Sequence, residues 1–203
     1  MGLCPIVWRS RAFDKGKNTP QGVTSPEGIL YKSRRFGYNG QGNNPKEFFM
    51  NQQIEAFWQR FLEHAGLDSS LRYLDAFHFC LSEEPANRLL QLVLDGKKRA
   101  TSSAVRAYGP DEPAPKAGDY SIVTDWAGVP RCVIRTVAVM VQPFRDYTFD
   151  IVRREGEDDS LESWRNSHED FFRRDGAQGG YPFSWDMPVL FEDFEVIYTG
   201  DNT

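Results

Sequence analysis

Past Asn51 the apolar residues change period partway along the chain, from about 3.6 to 2. No other feature constrains the fold so much. Ile54, Phe57, Trp58, Phe61, Leu62 and Ala65 recur at helical spacing and stop at Gly66, with Asn51 as the expected N-cap. A second helix is expected after Ser82, with Ala86, Leu89, Leu90, Val93 and Leu94 on one face and Gly96 as its left-handed stop. Pro85 fits there only within the first turn. The pattern then turns to β-branched and apolar runs at 120–124 and 132–141, joined by a turn-like 125–130. A third helix is expected from Ser160, burying Leu161, Trp164, His168, Phe171 and Phe172, and a strand at 189–198 closes the chain. Helices followed by clustered strands predict an α+β fold: a partly closed, mainly antiparallel β-barrel with flanking helices.

Residues 1–49 lack either period. They are rich in Gly, Asn, Pro and Ser and carry eight Lys/Arg against three acids, whereas the whole chain has a net charge of −5. We expect this part to be a disordered basic extension ahead of one domain at 50–203. Two readings of it stand. Met50 is the natural start, or the arm touches nucleic acid. The acidic body is a poor match for a protein that coats a duplex, since that affinity comes from neutralising phosphates. No apolar run approaches the ~20 residues that span a bilayer. The three cysteines, Cys4, Cys80 and Cys132, are scattered and odd in number, which argues against a disulfide framework and fits a cytoplasmic protein. His64, His78 and His168 show no metal-ligand spacing, so neither a metal nor a cofactor is expected, and nothing points to a protein partner.

Chemistry is concentrated in the turn Gly96-Lys97-Lys98-Arg99-Ala100-Thr101. Cations suit a helix C-terminus, where the carbonyl ends carry partial negative charge. The same residues also place an amine near a hydroxyl, and a lysine of lowered basicity can activate a threonine. Lys97 and Arg99 are the cations expected to lower it. Spacing alone favours the cap. A second candidate is the acidic turn Glu155-Gly156-Glu157-Asp158-Asp159-Ser160. Asp159 and Ser160 suit a helix start, but Glu157 stands before it and is less well explained by capping. Tyr108, Trp126 and Trp185 could stack on a base, although packing is the commoner use of such rings.

Taken together these residues resemble the ASCH family of the PUA-like superfamily. The resemblance rests on Gly-x-Lys-x-x-Thr at 96–101, then Gly118-Asp119, then Glu155-Gly156-Glu157 with Leu161, Trp164-Arg165 and His168, and finally Asp186-Met187-Pro188. It covers about residues 50–203 and is nearest to the longer bacterial members, which are associated with RNA binding. It implies a PUA-like barrel with a cleft where the lysine turn meets the acidic turn. It also implies RNA or a modified nucleoside as partner. One branch of the family resembles amidohydrolases of N4-acetylcytidine, which implies catalytic roles for Lys98, Thr101 and Glu157, with Gly96, Lys97 and Arg99 binding substrate. A ribonuclease is a further alternative implied by the same lysine.

Overall fold

The computed structural model describes residues 45–109 and 112–200, with side chains from residue 49. Nearly all of the expected basic arm therefore lies outside the described residues. The first helix, α1 (Pro45–Ala65), starts more than a turn before the expected Asn51 cap, which corrects that assignment. A proline opens a helix well, because its fixed φ is helical and the missing N–H would have had no partner in the first turn. The face predicted from the period is the face buried. Ile54, Phe57, Trp58, Phe61 and Leu62 pack with Ala76, Ile122, Val133 and Tyr198 in a core of their own.

Five strands form one sheet in the order β1-β3-β4-β5-β2, which curls into a half-barrel. They are β1 (Asp75–Phe77), β2 (Ala100–Ala104), β3 (Tyr120–Thr124), β4 (Pro130–Pro143) and β5 (Pro188–Tyr198). All pairings are antiparallel except β1 with β3, so the barrel-like α+β expectation holds. Bulges interrupt β4 beside β5, after Val133 and again after Thr136, adding the twist that bends the sheet. The remaining helices are α2 (Glu83–Leu94), the single turn α3 (Phe149–Val152) and α4 (Leu161–Gly179). Ser160 caps α4 by accepting the Ser163 N–H at 3.1 Å. Ser82 stands at the N-cap of α2 but makes no side-chain cap bond.

The larger core lies between the sheet and helices α2 and α4. Leu89, Val93, Val123, Ile134, Phe144, Trp164, Phe172 and Phe191 meet there. Neither β1 nor β2 has a readable period, because both are short and buried along their whole length. Cys80 is disulfide-bonded, which corrects the expectation drawn from the scattered cysteines. Cys132 is a free buried thiol, pushed by burial up to about 12.

Candidate functional site

The two turns singled out in the sequence are in direct backbone contact. The chain leaves α2 through Gly96, whose φ of 69° lets the helix end, and the Lys97 and Lys98 N–H groups both donate back to Leu92 O at 2.9 Å. At the next residue the Arg99 N–H donates to Arg154 O at 3.0 Å. The acidic turn then bends at Gly156, with φ 70°. A Cβ there would stand 2.4 Å from Lys97 O, so only glycine lets the turns approach this closely.

This approach buries a charged cluster. Lys98 has no exposed surface, and its Nζ contacts Glu157 Oε1 and lies 3.5 Å from Glu155 Oε2. The Phe79 ring floors it, with Nζ 5.3 Å from the ring centroid. Glu155 is the hub of the site. Its Oε1 accepts Ser102 Oγ–H at 2.5 Å and Trp164 Nε1–H at 3.0 Å. His168 Nε2 stands 3.4 Å from the same oxygen without the alignment of a hydrogen bond. His168 stacks on Trp164 and donates from Nδ1 to Trp164 O at 2.8 Å, which orients its other nitrogen toward the carboxylate.

The two carboxylates are driven apart. Burial raises Glu155, but the neighbouring His168 and Lys98 outweigh it and hold the group below the usual carboxylate range. Burial also raises Glu157, the charges of Glu155 and Asp158 add to this, and Lys98 opposes it without prevailing. Glu157 is thus the acid of the site that keeps its proton longest as pH rises. Its Oε2 is buried without a hydrogen-bond partner. Two carboxyl groups with opposed shifts provide one acceptor and one proton donor.

The other expected site residues are placed differently. Lys97 is mostly exposed and pairs with Asp95 at 3.6 Å. Arg99 is exposed, and its charge acts on Asp193. The surroundings of the Lys98 ammonium are therefore two carboxylates, not the two cations expected. Gly96 has nothing near its Cβ position, so it serves the turn geometry and does not make a close approach. Thr101 is buried on β2, and its Oγ1 has no hydrogen-bond partner, so Lys98 does not engage that hydroxyl here. Strand alternation gives the reason. Ser102 faces Glu155 and the Lys98 cluster, and its neighbour Thr101 faces the other side of the sheet, directly opposite Glu192 in the β2–β5 ladder. On that side Thr136 Oγ1–H donates to Glu192 Oε1 at 2.6 Å, and the Ser103 and Tyr108 hydroxyls are 2.6 Å apart.

Sequence reasoning missed Glu155 and Ser102 and assigned His168 to packing. The sequence names Glu155 as part of the acidic turn, but the Glu-Gly-Glu spacing does not single it out as the hub. Ser102 carries no signal until β2 is known to be a strand. Among the described residues no group of His, Cys, Asp and Glu is arranged to hold a metal ion. Nor is any helix long and apolar enough to cross a membrane.

Residues 75–198 match a profile of the ASCH domain. The crystal structure of a DUF984-family protein from Enterococcus faecalis is similar, at 34% identity and a TM-score of 0.67, over 73% of this chain and 90% of that one. That of an ASCH domain from Lactobacillus crispatus is similar at 31% identity and a TM-score of 0.64, over 72% and 95%. No curated protein matches the chain.

Proposed function

The chain belongs to the ASCH domain family, and from that premise we propose that it binds RNA or a modified nucleoside at the Lys98–Glu155–Glu157 cluster. One observation carries this reading. A fully buried ammonium is held between two buried carboxylates, one of which has an oxygen with no partner. A cluster of this kind is a poor stabiliser, because apolar residues of similar volume often do as well or better. It is a good recognition element for a base edge, which offers N–H donors and carbonyl acceptors in fixed positions. The exposed cations Lys97 and Arg99 lie outside the buried cluster, and the net charge is −5. Both points favour a nucleoside or a single splayed base over a long phosphate track.

The test is a thermal-shift and calorimetric screen of free and modified nucleosides and short single-stranded RNA at low salt. A ligand at a hundred times its Kd raises stability by about 2.7 kcal/mol. The shift is expected in the wild type and absent in Glu157→Gln. No shift with any nucleoside at millimolar concentration, together with no RNA binding at low salt, would refute the reading.

A second reading, hydrolysis of an acylated nucleoside, is favoured by the state of Glu157. A carboxyl group that stays protonated above the usual range suits donation to a leaving amine. In this reading the Lys98 ammonium first passes a proton to the Glu157 carboxylate that it contacts, and the Thr101 oxygen then attacks the acyl carbon as the neutral Lys98 amine takes the hydroxyl proton. The C–N bond then breaks as Glu157 protonates the amine, and water releases the acyl group from Thr101. The resting geometry requires a movement first, since Lys98 does not reach the Thr101 hydroxyl. Incubation with N4-acetylcytidine tests it. Turnover that survives both Thr101→Val and Glu157→Gln would rule the mechanism out.

A further inference from the structure

One stretch of the sheet has an open edge. β4 pairs with β3 only as far as Arg135, opposite Tyr120, but runs on beside β5 to Pro143, opposite Pro188. From residue 137 onward its side away from β5 has no strand against it among the described residues. β3 begins only at Tyr120, after the turn at Gly118 and Asp119 that bonds Thr136, so it does not reach this part of β4, which also carries a bulge against β5 between Thr136 and Ala138. The freed segment, 137–142, reads Val-Ala-Val-Met-Val-Gln and contains no charge. Val137, Met140 and Val141 are exposed by 51%, 38% and 54%.

Edges are ordinarily blunted by lysine, charge or proline, because an open ladder of N–H and C=O groups templates further pairing. Here the prolines of β4, Pro130 and Pro143, stand at its two ends, and no charged residue lies within 137–142. Arg131 and Arg135 precede the bulge, and of the β5 acids Glu192, opposite Val139, is buried, while Asp193, opposite Ala138, pairs with Arg154 and Glu195 pairs with Arg135. An extended strand is what such an edge accepts. The composition identifies the strand. The chain is acidic overall, so two copies repel each other except where a surface carries no charge, and 137–142 is such a surface. It is also self-complementary. Run antiparallel to itself about an axis at Met140, it sets Val139 against Val141 and Ala138 against Gln142.

We propose that this edge is an interface with a second copy of the chain, in which two β4 strands pair antiparallel about a two-fold axis at Met140 and join the two half-barrels into one continuous sheet. A two-fold contact of this kind is closed, so assembly stops at the dimer. The interface is independent of the nucleoside reading, since none of the clustered residues contributes to it.

Sedimentation and light scattering of the whole chain, from about 10 to about 200 micromolar, read the state directly, the range in which a small interface populates a dimer. The expected mass is twice 23.3 kDa. Val141→Lys, at an exposed position, is expected to fold with an unchanged circular dichroism spectrum and to run at 23.3 kDa. Met140→Cys reports the register. Residues facing each other across such an axis have Cα atoms about 5 Å apart, within disulfide reach, so mild oxidation should give a dimer linked at 140 by peptide mapping. A wild type that stays monomeric throughout, a Val141→Lys variant that stays dimeric, or a crosslink that does not map to 140 overturns the proposal.

Discussion

Replacing Lys98 by methionine isolates the role of the buried ammonium, because methionine keeps the length of the side chain and its packing on Phe79 while removing the charge. In the wild type the ammonium contacts Glu157 and lies 3.5 Å from Glu155 in a place with no exposed surface. Breaking such a pair costs about 3–5 kcal/mol, mostly through the charge left behind. That cost depends on pH. Glu157 already favours its neutral form, so at low pH the variant sheds the unpaired charge by protonation. Glu155 is held below the usual range partly by Lys98 itself, so it resists protonation until that help is gone. The deficit is therefore expected to be small near pH 5 and to approach the full ~3–5 kcal/mol by about pH 8. At about 2–4 °C per kcal/mol for a chain of this size, the melting temperature should fall by roughly 6–20 °C at the higher pH. Denaturant titrations at a series of pH values measure this. A further Glu155→Gln and Glu157→Gln change in the same background should return much of the loss, since the cluster is then neutral throughout. A Lys98→Met protein that melts within a few degrees of the wild type at pH 8 would show that the ammonium does not compensate the carboxylates, and the electrostatic account of the site would be wrong.

Three further outcomes follow from single contacts. A carboxyl group raised in the folded state binds more protons there than in the unfolded chain, so Glu157 makes stability fall as pH climbs from about 4.3, with a limiting slope of about 1.4 kcal/mol per pH unit. Glu157→Gln should flatten that limb in a pH series of denaturant midpoints, and Glu155, with the opposite shift, should continue to lose stability below about 4.3. Gly156→Ala places a Cβ 2.4 Å from Lys97 O at a φ of 70°, so it should lower stability by more than the ~1 kcal/mol of left-handed strain alone and separate the two turns, as read by melting and by loss of ligand-induced shift. Thr101→Val removes a buried hydroxyl that has no partner, so the melting temperature should hold or rise, by up to about 1–3 kcal/mol in stability, while ligand binding at the Lys98 cluster, on the other side of β2, is kept.

The helices were legible because each carries enough turns to show a face. In α1 and α4 the residues expected inside are inside, except that Ala65 is exposed and Leu161 is only partly covered. β3 was legible to the residue, and β4 and β5 nearly so, because their β-branched runs are long. β1 has three residues and β2 five, and neither alternates, since β2 is buried along its whole length. That one omission hid most of the site. Without β2, Lys98 and Thr101 are simply three apart in a turn, and a hydroxyl beside an amine is the natural reading. With β2, parity separates them and puts Ser102 on the lysine side. Glu155 was hidden for another reason. Its importance lies in partners 53 and 57 residues earlier in the chain, Ser102 and Lys98, and no local pattern encodes contacts of that range.

Besides His168 Nε2, which faces Glu155, two groups of the site lack a hydrogen-bond partner, Glu157 Oε2 on one side of β2 and Thr101 Oγ1 on the other. Each costs about 1–3 kcal/mol if nothing meets it. Neither is an accident of loose packing, for both sit on elements fixed by backbone bonds. Thr101 lies within the β2–β5 ladder, and Glu157 follows a glycine wedged against the Lys97 carbonyl. A fold that spends stability on a buried ammonium, two carboxylates and two unmet polar atoms within one short stretch has a use for them beyond folding. On the proposed reading the charges would meet a polar, donor-rich ligand, and the Glu157 proton would serve a leaving amine. The position of Thr101 then separates the two activities. If a bound ligand draws Thr101 and Lys98 together, the site is a hydrolase. If Thr101 keeps its place opposite Glu192 when the ligand is bound, the hydroxyl stays away from it and the site is a reader.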